Sequence, residues 1–94
     1  MAESWPQRYA AALQARAGVH FAEAAVSPAV MVRLLDLARN VAHGTERRNA
    51  PLATYLAGQY VALRMAQGCD PSLAVAEAVG VAEGVSSAPP PATF

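Results

Sequence analysis

One segment of the sequence, residues 27–44, constrains the fold more than any other. Ser27 is a typical helix N-cap, Pro28 suits the first helical position, and Gly44 is a typical C-terminal stop. With about 100° between successive residues of a helix, the apolar residues between these signals fill one continuous arc of roughly 160°. They are Val30, Met31, Leu34, Leu35, Leu37, Ala38, Val41 and Ala42. We therefore predict a helix over 28–43 that is the most buried element of the core.

Another helix is predicted near the start of the chain, over 5–17. Ser4 and Gln7 have the spacing of a capping box, in which each side chain accepts a hydrogen bond from the other residue's amide, and Gly18 ends the helix. Since 23 of its 51 apolar residues are alanine, the chain has few large apolar side chains, and we expect Trp5 to be buried. The large apolar residues of this helix form one narrow stripe of Trp5, Tyr9 and Leu13.

Two more helices are predicted in the second half of the chain. The third begins at Pro51, with Ala50 as its nominal N-cap, and runs over 51–67. The fourth runs over 71–83 and has Asp70 as its N-cap. The apolar face of the third helix is predicted to contain Leu52, Tyr55, Leu56, Ala62, Leu63 and Ala66, and that of the fourth Val75, Ala78, Val79 and Ala82.

These helix signals predict an all-α fold, since no segment alternates as a β-strand does and no internal repeat is visible. Short connections between the last three helices favour antiparallel neighbours, so we predict a small four-helix bundle, a single domain over 4–84. Residues 19–26 are predicted to be mainly loop, with Phe21 as a plug for the core. The proline-rich segment 85–94, after Gly84, is predicted to be a disordered tail.

The charge and cysteine content exclude several functions and indicate a compartment. Seven Arg balance seven acidic residues, so we expect neither nucleic acid nor an anionic membrane surface as a partner. The single Cys69 cannot form an internal disulfide, and no signal peptide or membrane span is recognisable in the sequence. We therefore expect a cytoplasmic protein.

Motifs for catalysis or cofactor binding are absent from the sequence. There is no phosphate-binding G-x-x-x-x-G-K, no dinucleotide-binding G-x-G-x-x-G, no H-E-x-x-H and no C-x-x-C. His20, His43 and Cys69 are not spaced as a local pair of metal ligands. We predict no catalytic residue, no bound metal and no cofactor, and we expect Cys69 to be a small, partly buried side chain.

The most informative polar cluster lies on the helix over 28–43 and in the charged loop after it. The helical spacing places an acid, a cation, an amide and an imidazole on one face, and the next helix lacks a side-chain cap for its first amides. Two interpretations stay open: a solvated surface, with water or a nearby side chain at that helix end, or a site for an anion or a partner carboxylate. The candidate binding residues are Asp36, Arg39, Asn40, His43, Glu46, Arg47, Arg48 and Thr54.

Residues 34–63 also resemble a known family. Its pattern is D-x-A-R, A-H, a loop with E-R, and A-P-L-T-x-F/Y-L. Here these motifs read Asp36-Leu37-Ala38-Arg39, Ala42-His43, Glu46-Arg47 and Ala50-Pro51-Leu52-Ala53-Thr54-Tyr55-Leu56, and the aromatic Trp5 also fits. The segment is similar to a small bacterial domain of unknown function associated with molybdopterin-guanine dinucleotide biosynthesis, alone or fused to molybdenum cofactor guanylyltransferases. The resemblance implies a role in maturing or delivering that cofactor, without the transferase chemistry of the separate α/β domain.

Three hypotheses about function follow. The first is a non-catalytic accessory module that binds a protein partner in molybdenum cofactor maturation through the polar face and the loop. The second is a small phosphate-ligand-binding protein or minor enzyme that uses Asp36, Arg39, His43 and Arg47. The third is a homo-oligomeric structural module, in which a second subunit completes the thin core.

Overall fold

The structure, a computed structural model, describes residues 4–87 and is built from helices. Helix α1 spans Trp5–Ala17, α2 Pro28–Gly44, α3 Asn49–Ala66 and α4 Pro71–Ser87, and a short 3₁₀ turn, Glu23–Val26, precedes α2. No strand occurs within these residues. The predicted all-α class and its four helices are therefore confirmed.

The capping signals in the sequence form as expected. The Ser4 hydroxyl accepts a hydrogen bond from the amide of Gln7, and the Gln7 side chain accepts one from the amide of Ser4. Ser27 caps α2 through its hydroxyl, and Asp70 accepts hydrogen bonds from two amides at the start of α4. Gly18 ends α1 in the left-handed conformation, with φ of 73°. The contacts of Ser4, Ser27 and Asp70 fix where α1, α2 and α4 begin, because they satisfy amides that a helix leaves free.

The core lies where α2, α3 and α4 pack against one another. One cluster of buried residues lies near the start of α2, a second lies farther along it, and the half-buried Leu34 contacts both. Helix α2 contributes three of the buried residues, more than α3 or α4, as predicted. The buried residues of the described chain are Val30, Leu37, Val41, Ala57, Val61, Ala74 and Val75.

The buried stripe of α2 is narrower than its apolar arc. Val30, Leu37 and Val41 recur at heptad-like spacing and face α3 and α4, whereas Leu35 lies beyond the edge of that stripe and is 70% exposed. Two neighbouring helices cover only part of a roughly 160° arc, so the outer side of it stays in solvent. The prediction that Leu35 belongs to the core is wrong.

The face of α3 that packs against the core is not the one predicted from its large apolar residues. The small residues Ala53 and Ala57 and the β-branched Val61 pack inward, while Leu56 and Leu63 lie in solvent. Small side chains let the helix backbones approach closely, and this close approach decides the orientation of α3. The predicted apolar face of α3 is therefore wrong, whereas the predicted face of α4 lies inward.

Helix α1 stands apart from the other helices. It forms no extensive interface with α2, α3 or α4, and none of its described residues is buried. Trp5 is 64% exposed and its ring stacks on Tyr9, with 5.0 Å between the ring centroids. The radius of gyration is 14.7 Å, against about 12 Å for a compact domain of this length. The predicted burial of Trp5 is wrong, and Phe21, the predicted plug, is also exposed.

Several helix boundaries differ from those predicted. Residues 23–26 form a 3₁₀ turn that packs on α2 and α4, α2 includes Gly44, and α3 begins two residues early. Helix α4 continues past Gly84 to Ser87, because glycine ends a helix in the left-handed conformation and Gly84 does not adopt it. The first three residues of the predicted tail are thus helical, and residues 88–94 lie outside the described part of the chain.

Two leucines of α2 test this core. Replacing Leu37 by Ala removes a buried side chain and should lower the free energy of unfolding by about 2–5 kcal/mol. Replacing Leu35 by Ala changes an exposed position and should alter it by less than about 0.5 kcal/mol. Urea denaturation of both variants measures the difference, and equal losses would contradict the assignment of α2's buried stripe.

Candidate functional site

The charged residues predicted as a binding site lie on the surface as separate local pairs. Arg39 contacts Asp36 at 3.3 Å on the same helix, and Arg48 contacts Glu46 at 2.7 Å in the loop. All four side chains are more than half exposed. Exposed pairs of this kind stabilise proteins by only about 0–1 kcal/mol and bury no charge.

The remaining predicted site residues do not complete these pairs into a pocket. Asn40, His43 and Arg47 are exposed, and within residues 4–87 their side chains have no hydrogen-bond partner. Thr54 donates to carbonyls of its own helix, Ala50 at 3.3 Å and Pro51 at 3.0 Å. The polar face of α2 therefore lacks an enclosed arrangement of cations and donors.

The first two amides of α3 are not free to bind an anion. No side chain caps it, as predicted, but the amides of Asn49 and Ala50 donate to the carbonyls of Glu46 and Arg47 in the preceding turn. The next residue, Pro51, has no amide hydrogen. Backbone contacts thus satisfy a helix end that the sequence left without a cap, and the first three positions of α3 offer nothing to a phosphate.

Residues 4–87 contain no group of three potential metal ligands and no helix long and apolar enough to cross a bilayer. Cys69 is half-buried, as expected, and lies against the first core cluster.

An apolar groove is formed by α2, α3 and α4. Its volume is about 490 Å³, which lies in the range of protein binding sites. The floor of the groove is formed by Leu37, Val41 and Ala57, which are buried. Its walls carry apolar side chains that are more exposed: Leu52, Leu56, Tyr60, Val81 and Val85. The groove extends along three turns of α3.

The groove follows from the close packing of small residues. Ala53 and Ala57 of α3 lie against the second core cluster, and so do Ala78 and Ala82 of α4. Because these side chains are short, the large residues one position away stand outward on both sides of the seam. The groove is not predicted from the sequence, because the helical pattern places Leu52 and Leu56 in the core. Val81 and Val85, beyond the predicted face of α4, indicate a second apolar stripe.

One polar cluster joins α3 to α4 beside the groove. Arg64 donates to both carboxylate oxygens of Glu77, at 3.0 and 3.4 Å, and the Tyr60 hydroxyl donates to the same carboxylate at 2.8 Å. Arg64 also donates to the side chain of Gln67. Bidentate pairing fixes the geometry more firmly than a single contact does. Tyr60, one wall of the groove, is therefore held by a bond across the two helices.

These hydrogen bonds shift the titration of the three groups. Bonds from Arg64 and Tyr60 to the carboxylate hold the pKa of Glu77 below its usual range. The hydrogen bond to Glu77 raises the pKa of Tyr60 and that of Arg64. A lowered carboxyl pKa means that ionised Glu77 stabilises the fold above its ordinary value of 4.5. That contribution is lost as the pH falls through the lower value of the folded state.

Replacing Glu77 by Gln tests this linkage. At neutral pH the variant should melt below the parent, because Arg64 and Tyr60 lose their charged acceptor. The difference in melting temperature should shrink as the pH falls below 4.5, the ordinary value of this carboxyl, and through the lower pKa of Glu77 in the folded state. Glu46→Gln, which alters a pair within one loop, is the matched control. A pH-independent difference for Glu77→Gln would contradict the assignment.

Comparison with known proteins identifies relatives at the level of a family. No curated protein and no solved structure matches the chain significantly. A family described as a domain of unknown function, DUF6457, matches residues 1–92. Because this match covers nearly the whole sequence, the chain belongs to the DUF6457 family.

Proposed function

We propose that this domain is a non-catalytic interaction module that binds a helix of a protein partner in the apolar groove. The observation that carries the proposal is the exposure of the groove walls: Leu56, for example, is 64% exposed although it lines a groove of about 490 Å³. Contiguous exposed apolar surface is costly in a soluble domain and is typical of interaction sites.

The shape and chemistry of the groove favour a helix as its ligand. The lining residues of α3 run from Asn49 to Tyr60, which corresponds to about 16 Å of helix. An amphipathic helix places anchors at intervals of three and four residues and fits a groove of this length. The polar lining residues Thr45, Asn49 and Ser86 belong to the helix-end side of the groove, where α2 and α4 finish and α3 begins.

A phosphate-bearing ligand is less well supported. The groove lining contains no basic residue, and the arginines suggested for such a ligand are exposed on the surface. The start of α3 has its first amides bonded to the preceding turn. A phosphate requires several convergent donors or cations, and the described residues do not bring them together.

The sequence resemblance suggests the class of partner. The motifs at 36–39, 42–43, 46–47 and 50–56 are similar to those of domains associated with molybdopterin-guanine dinucleotide biosynthesis. We propose a molybdenum cofactor guanylyltransferase of the same organism as the partner, with this domain as an accessory to maturation of the cofactor. The two leucines of the last motif, Leu52 and Leu56, line the groove, so the resemblance includes two of its wall residues.

Isothermal titration calorimetry of the full chain with that guanylyltransferase tests the proposal. The parent should bind, and Leu56→Asp should weaken binding about thirtyfold or more, because it places a charge at the centre of an apolar contact. Leu35→Asp is the matched control, since it changes an equally exposed leucine of α2 outside the groove. Both variants and Arg39→Ala should melt as folded proteins.

Three outcomes distinguish the surfaces. Loss of binding in Leu56→Asp alone supports the groove. Loss in Arg39→Ala with normal binding by Leu56→Asp would assign the interaction to the polar face of α2 and overturn the groove proposal. Absence of binding by the parent would overturn the guanylyltransferase as partner.

A further inference from the structure

Residues 4–87 present two separate apolar surfaces that the fold leaves unpaired. One is the groove, and the other is the aromatic ridge of α1, formed by Trp5, Tyr9 and Leu13, which is exposed along its length. We infer that the aromatic ridge of one copy docks in the groove of a second copy, so that two chains exchange their α1 helices in a reciprocal homodimer. This inference rests on the proposed function, because it places helix α1 of a second copy in the same helix-binding groove.

The structure directs the ridge away from the groove of its own chain. The side chain of Gln14 accepts a hydrogen bond from the amide of Phe21 at 2.7 Å, which folds the connection back along α1. Pro6, Ala10 and Gln14 border a shallow depression with that connection. At about 100° per residue the centre of the aromatic ridge lies about 100° around α1 from this depression, and no residue of α1 is among those that line the groove. The connection leads to the start of α2, whereas the groove lies along the second half of α2.

The sizes of the two surfaces match. Helix α1 has 13 residues, about 20 Å in length, and the groove follows about 16 Å of α3. An aromatic side chain buries about 150–250 Å² when it is fully enclosed. Because Trp5 is 64% and Tyr9 52% exposed, each contact covers roughly 200–300 Å² on the ridge and a similar area on the groove. Two reciprocal contacts then bury on the order of 800–1,200 Å², near the lower limit for specific protein interfaces.

The charges of the two helices are complementary in sign. Helix α1 contains Arg8 and Arg16 and no acidic residue, whereas α4, one wall of the groove, contains Glu77 and Glu83 and no basic residue. Arg16 stands one turn beyond Leu13 at the end of the aromatic ridge. Glu77 is already paired with Arg64, so docking α1 beside α4 forms no new ion pair with Glu77, but it brings no like charges together.

A second copy of the chain, related by one symmetry operation, also covers both the ridge and the groove. In a twofold dimer, the contact of the first ridge with the second groove implies the contact of the second ridge with the first groove. An unrelated partner helix in the groove would cover only one of the two surfaces and leave Trp5 in solvent.

Fluorescence of Trp5, the chain's single tryptophan, tests the exchange by complementation. The ridge variant, Trp5→Ala with Tyr9→Ala, has an intact groove and no tryptophan. The groove variant, Leu56→Asp, keeps Trp5 but has a damaged groove. When the two are mixed, the only tryptophan present can dock only in the groove of the ridge variant. Its emission should shift to shorter wavelength and saturate, while sedimentation equilibrium shows a mass of two chains.

The parent and the single variants complete the test. The parent should dimerise, and each variant alone should self-associate about thirtyfold or more weakly than the parent. Leu35→Asp should dimerise as the parent does. A chain with the ridge and groove changes together is the mixing control and should leave the emission of the groove variant unchanged. Far-UV circular dichroism checks that every variant keeps its helices.

Several results would overturn the inference. A monomeric parent with short-wavelength emission at every concentration would mean that α1 fills its own groove. If Leu56→Asp dimerises as the parent does, the interface lies elsewhere. If the parent is monomeric and its tryptophan is exposed to solvent, the proposed interface does not form.

Failure of the exchange is distinguishable from failure of the proposed function. Binding of the guanylyltransferase that depends on Leu56, without complementation between variants, would keep the groove as a partner site and overturn only the homodimer. Complementation without such binding would keep the homodimer and remove the partner. If both hold, adding the partner should convert dimers into partner complexes, because both occupants need the same groove.

Discussion

The rest of the structure depends on close packing of small side chains where α2, α3 and α4 meet. Ala57 and Ala74 are buried at this junction, and Ala53, Ala78 and Ala82 lie against it. An alanine contributes little apolar area, so a core built this way gains stability mainly from contact between backbones and β-carbons at high density. It also has little room for large side chains, which therefore lie at its edges.

The consequences for function follow from that geometry. The leucines and valines that the core excludes form the walls of the groove, and the aromatic residues that it excludes form the ridge on α1. The polar cluster of Arg64, Glu77 and Tyr60 joins α3 to α4 beside the groove through hydrogen bonds. A domain with a thin core thus keeps a well-defined interaction surface, because the polar bonds that join its helices do not depend on core volume.

Local signals in the sequence predict the elements of this fold well and their packing poorly. Ser4, Ser27 and Asp70 cap helices as expected, since capping involves only residues within three positions of one another. The orientation of α3 is not predicted, because two of its faces are apolar and the choice depends on which face allows close approach to α2 and α4. Trp5 is misassigned for a related reason: its burial requires a partner surface that the chain's own core does not provide.

The site is predicted less well than the fold. The charged face of α2 has conspicuous residues, but its ion pairs are local and exposed, and a turn rather than a ligand satisfies the start of α3. The groove has no conspicuous motif, because it consists of ordinary apolar residues placed together by tertiary packing. What indicates the groove in the sequence is that the helices have more apolar stripes than a small bundle can bury.

The central claim is that the groove accepts the aromatic ridge of another chain. Isotope-filtered NMR on an equal mixture of carbon-13-labelled and unlabelled chains measures this directly, through magnetisation transfer between protons of different molecules. We predict intermolecular transfer from the Trp5 indole of one chain to the methyl groups of Leu56 and Val85 of the other. Transfer from Trp5 to these methyl groups only within one chain, or no transfer to them at all, would contradict the claim.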